Sequence, residues 1–91
     1  MTTTRYKFER RDLERFEKKI AAWKKQAMRE DARGNEEDAK VYWEDVKGLN
    51  EVYDAVLAGD YERAGSVANE LATLVRDQIP VRLYNAIAIG S

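Results

Sequence analysis

The stretch Asp31-Ala-Arg-Gly34-Asn35-Glu-Glu-Asp-Ala39 decides the fold, because it stops one helical pattern and starts another. Glycine takes the left-handed backbone conformation that closes a helix, and an Asn side chain can cap the amides of the next one. Glu36, Glu37 and Asp38 then place negative charge at the positive end of a new helix. Upstream, Leu13, Phe16, Ile20, Trp23 and Ala27 recur at three- and four-residue steps, which stacks them on one side of an α-helix. That helix is placed at about 5–32, starting after a Thr4 cap. A start after Asp12 is the alternative, since Thr2, Thr3, Thr4, Tyr6 and Phe8 also suit an extended segment.

Downstream, Ala39, Tyr42, Val46, Leu49, Tyr53 and Val56 repeat the same spacing, widened by Trp43 and Leu57, and predict a second helix over about 36–58. Its outer face carries Glu37, Lys40, Glu44, Lys47 and Glu51, successive neighbours that are expected to pair for roughly 0.2 to 0.5 kcal/mol each. Gly48 costs about 1 kcal/mol relative to Ala inside a helix, so it marks either a bend or a close crossing.

Gly59-Asp60 repeats the stop-and-start chemistry. Gly34-Asn-Glu-Glu-Asp-Ala39 aligns with Gly59-Asp-Tyr-Glu-Arg-Ala64. This pattern resembles the turn between paired helices in tetratricopeptide-type repeats. Its 25-residue offset and missing signature positions make it shared turn chemistry rather than a repeat. A third helix is predicted over about 61–78, with Ala64, Val67, Leu71, Leu74 and Val75 on its core side. Beside them runs a row of small residues, Gly65, Ala68 and Ala72, where another helix can approach closely. Pro80 interrupts the chain. The apolar element at about 80–89 reads as a short helix, which is favoured, or as a strand paired with Thr2–Phe8. The expected architecture is therefore all-α: a single domain over 1–91, an antiparallel bundle of three main helices with a short apolar C-terminal element.

Composition agrees and narrows the function. Hydrophobic residues at 44% and charged residues at 36% suit a folded domain, and 91 residues leave no room for a second core. With no Cys and no His, the sequence lacks disulfides, thiolate ligands and the commonest general base and metal ligand. The net charge of −1 hides an asymmetry. Residues 1–33 carry 11 Lys or Arg against 6 acids, a net +5, whereas residues 34–91 carry 5 against 11, a net −6. No apolar run approaches the roughly 20 residues of a membrane span. The polar N-terminus shows no targeting signal, so a cytoplasmic protein is expected.

The sharpest candidate site is a basic stripe on the first helix, formed by Lys7, Arg11, Arg15, Lys18, Lys25 and Arg29 and offset from the apolar seam. It would run about 33 Å, close to one turn of duplex DNA. A merely solvated face, with Glu14 paired to Lys18, explains the same residues. Among partners an acidic protein is preferred to nucleic acid, because the sequence pI of 5.5 is far below that of typical nucleic-acid-binding domains. Tyr42 and Trp43 are adjacent and cannot both face one seam, which makes them candidate interface aromatics. Gly65, Ala68, Ala72, Leu83, Ile87 and Ile89 are candidate contacts between copies in a dimer or higher oligomer. The acidic groups Glu36-Glu37-Asp38, Glu44-Asp45 and Glu51/Asp54 are explained by capping and helix charge, so no metal, cofactor or catalytic residue is assigned. These features point to a non-catalytic protein-binding adaptor, regulator or inhibitor; a nucleic-acid-associated protein and a structural oligomer component are the alternatives.

Overall fold

The computed structural model describes residues 8–90. It holds α1 (Arg10–Ala32), α2 (Glu36–Leu57), α3 (Tyr61–Glu70), α4 (Thr73–Arg76) and α5 (Val81–Gly90), with no strand among the described residues. The all-α bundle predicted from spacing is the fold observed. α1 packs on α2, α2 on α3, and α5 lies on α3 while touching α1. The C-terminal element is helical, so it does not form the alternative ribbon.

α1 starts later than residue 5. Glu9 is extended (φ −109°, ψ 167°), and its backbone N–H donates to the Asp12 carboxylate at 2.7 Å, which caps the helix there. Asp12 is the one buried charged side chain among the described residues. The extended entry directs Phe8 edge-on to Tyr61 at the head of α3, with ring centroids 6.3 Å apart. Residues 5–7 of the expected helix lie outside the described residues.

Both glycine turns close in the same way. Gly34 (φ 80°) donates to Asp31 O and Asn35 donates to Glu30 O; Gly59 (φ 75°) donates to Val56 O and Asp60 to Ala55 O. Each is a Schellman motif, with the glycine in the left-handed region. The caps that follow differ. Asp60 accepts from the Arg63 backbone N–H at 3.1 Å, as expected. Asn35 makes no side-chain cap; its Nδ2 donates instead to Glu30 Oε2 at 2.7 Å, a charge-assisted bond that holds the side chain against the last turn of α1 rather than over the first turn of α2.

The third predicted helix is two. Leu71 (ψ 146°) and Ala72 (ψ 151°) are extended and separate α3 from α4. The break lets Leu71 lie over Gly48, where an added Cβ would stand 2.6 Å from Leu71 Cδ2, so Gly48 marks a close crossing. It also turns Val75 and Ile79 into the core and leaves Leu74, expected on the core side, 74% exposed. The core is one cluster, with Phe16, Leu49, Val52, Leu83 and Ile87 almost fully buried. α1 and α2 are about twice as long as α3, so their far ends project beyond this core, and past Trp23 on α1 and before Trp43 on α2 only Ala27 and Ala39 are buried.

A basic groove between α1 and α5

Residues 11, 15, 18 and 19 fall on neighbouring positions of one face of α1, because steps of three and four residues return to the same side of a helix. Pro80 ends the preceding turn, and its carbonyl accepts the Tyr84 amide at 2.9 Å as α5 begins. The start of α5 meets this face of α1, and the two enclose a depression of about 640 Å³ lined by Arg11, Asp12, Arg15, Lys18, Lys19, Pro80, Val81 and Arg82. Five of these eight side chains are cations. Glu9 bridges two of them, at 3.0 Å to Arg11 and 3.4 Å to Arg82, which ties the first turn of α5 to the cap of α1. Glu14 pairs with Arg10 at 3.8 Å rather than with Lys18, as the sequence had suggested. Among the described residues no carboxylate lies within ion-pair distance of Arg15, Lys18 or Lys19. The amides of the first turn of α5, which by helix geometry have no acceptor within the helix, add positive potential at the same edge.

The predicted stripe is thus divided. Arg11, Arg15 and Lys18 join Lys19 and Arg82 in the groove. Lys25 and Arg29 are exposed farther along α1 and do not line it, and Lys7 lies outside the described residues. Lys19 and Arg82 were not singled out from sequence. Lys19 sits one position off the chosen row, and Arg82 arrives only through a tertiary crossing 73 residues from Glu9.

The aromatic candidates are held within the chain. Trp23 Nε1 on α1 donates to Asp45 on α2 at 3.2 Å, Trp43 Nε1 on α2 donates to Asp31 on α1 at 2.8 Å, and Tyr53 OH donates to Glu17 at 2.6 Å. Tyr42 stacks edge-on with Trp23, centroids 5.8 Å apart. Tyr42 and Trp43 are each half-buried, so the α1–α2 hairpin is pinned by aromatic donors on carboxylates. The bond to Glu17, partial burial and the charges of Glu17 and Asp54 raise the Tyr53 phenol above its ordinary pKa. The expected row of ion pairs from Glu37 to Glu51 does not form among the described residues; its exposed side chains remain solvated.

The candidate oligomer contacts are largely consumed inside one chain. Ala68, Leu83 and Ile87 are buried in its core, and Gly65 faces Ile87 with 3.6 Å from a built Cβ to Cγ2, so α5 of the same chain fills the small-residue row. Ala72 is exposed in the break, and Ile89 is 50% exposed at the end of α5. Among the described residues no His/Cys/Asp/Glu group is arranged to hold a metal ion, and no helix is long and apolar enough to cross a membrane. No known protein family, curated protein or solved structure matches the chain.

Proposed function

We propose that this chain is a non-catalytic binding module, an adaptor, regulator or inhibitor, that takes an acidic segment of a protein partner into the α1/α5 groove. The observation that carries the reading is the convergence of Arg11, Arg15, Lys18, Lys19 and Arg82 on one concave surface, three of them without a carboxylate partner among the described residues. Like charges four residues apart on a helix cost a few tenths of a kcal/mol, a repulsion that an incoming carboxylate reverses. Between Arg11 and Lys19 the groove follows α1 for only about 12 Å, which fits a short peptide segment better than the length of a duplex turn. The exposed cations also steer an acidic partner toward this face before contact.

Fluorescence anisotropy of a labelled all-glutamate peptide tests the reading. Binding is expected to weaken with salt and to fall by about tenfold or more in the double variant Arg15→Glu/Lys18→Glu. Lys25→Glu/Arg29→Glu, outside the groove, should bind like the wild type. Equal loss in both double variants would mean that net charge alone drives binding and would sink the groove. A mixed-sequence duplex that binds more tightly than the peptide would favour nucleic acid instead.

A further inference from the structure

The groove does not end in a polar rim. Val81 also walls a second depression of about 360 Å³, lined by Arg76, Asp77, Ile79 and Tyr84. Val81 is 75% exposed, Tyr84 is half-buried and Ile79 lies beneath them, so an aliphatic and aromatic surface adjoins the five cations along a shared edge. Arg76 and Asp77 bring opposite charges to the second depression, which leaves it without the positive excess of the first. A purely acidic ligand gains nothing from covering Val81. A ligand whose acids are followed by a bulky apolar side chain gains both long-range attraction and short-range burial.

We propose that the occupant is an amphipathic acidic segment of a partner protein, with carboxylates on Arg15, Lys18, Lys19 and Arg82 and one aliphatic or aromatic side chain seated between Val81 and Tyr84. This rests on the reading of the groove given above and adds the anchor that sets the segment's register. The anchor supplies specificity that scattered charge lacks, since a handful of buried apolar or aromatic contacts usually dominates the energy of a protein interface.

Two labelled peptides of equal length separate the two ideas, one all-glutamate and one with a central Leu-Phe pair among glutamates. Their affinities are to be measured on the wild type, on Val81→Ser and on Leu74→Ser. Leu74 is equally exposed but lines neither depression, so its variant controls for the loss of an exposed aliphatic group. The Leu-Phe peptide is expected to bind the wild type about tenfold more tightly than the all-glutamate peptide. Val81→Ser should abolish that preference and Leu74→Ser should keep it. Equal affinities on the wild type, or a preference that survives Val81→Ser, overturn the anchor while leaving the acidic groove standing. If neither peptide binds in a salt-sensitive, Arg15- and Lys18-dependent way, the groove reading falls and the anchor with it. A mixed-sequence duplex that displaces both peptides overturns the proposal in favour of nucleic acid.

Discussion

Tyr53 shows how one hydroxyl couples two helices to pH. Its bond to Glu17 favours the protonated phenol, so the folded-state pKa lies above the unfolded value near 10. The unfolded chain therefore releases this proton first. The stability from the bond is complete below about pH 10 and is lost as pH rises through the higher folded-state pKa. Tyr53→Phe should cost about 0.5 to 1 kcal/mol near neutral pH, at the low end for a hydrogen bond because solvent reaches it. Denaturant titrations at neutral and alkaline pH check this: the gap between wild type and variant should narrow above about pH 10. A gap that stays constant would show that the loss came from contacts of the hydroxyl that do not depend on its proton rather than from the bond.

At the scale of elements, the crossing of α2 and α3 depends on the missing side chain at Gly48. Gly48→Ala gains about 1 kcal/mol of helix propensity but drives a methyl into Leu71. The substitution should therefore stabilise by clearly less than that amount in the wild type. In a Leu71→Ala background the full gain should appear, with a coupling of about 0.5 kcal/mol or more in a urea double-mutant cycle. Additive effects would show that Leu71 moves aside without cost. The helices themselves were largely legible from sequence, since Gly34 and Gly59 and the three-four seams placed the end of α1, the whole of α2 and the start of α3, while the start of α1 was set too early. The break at Leu71–Ala72 was not, because Leu71, Leu74 and Val75 also fit a straight helical seam, and the preference for Val75 over Leu74 arises only once Leu71 finds Gly48. The groove was half legible for a related reason. Arg11, Arg15 and Lys18 share a local period, whereas Arg82, Pro80 and Val81 reach them only by the return of α5.

The whole molecule is elongated, 57 × 23 × 21 Å, with a radius of gyration of 14.2 Å where a compact chain of this length would have about 12 Å. One end holds the core and the groove, and the other is a bare two-helix arm. Amides of α1 near Phe16 and Ile20 are packed under the core, while those beyond Ala27 are held only by the paired arm. Native-state hydrogen exchange should therefore be graded along this single helix, with slow, global exchange near Phe16 and faster, local opening near Arg29. Uniform protection from end to end would show that the arm and core unfold as one unit. The only two tryptophans in the sequence, Trp23 and Trp43, stand where core gives way to arm, each with its indole N–H on a carboxylate of the facing helix. Intrinsic emission is thus a reporter sited at this seam: on warming, the indoles should shift to the red ahead of the loss of far-ultraviolet helicity, signalling the parting of the hairpin before the bundle melts.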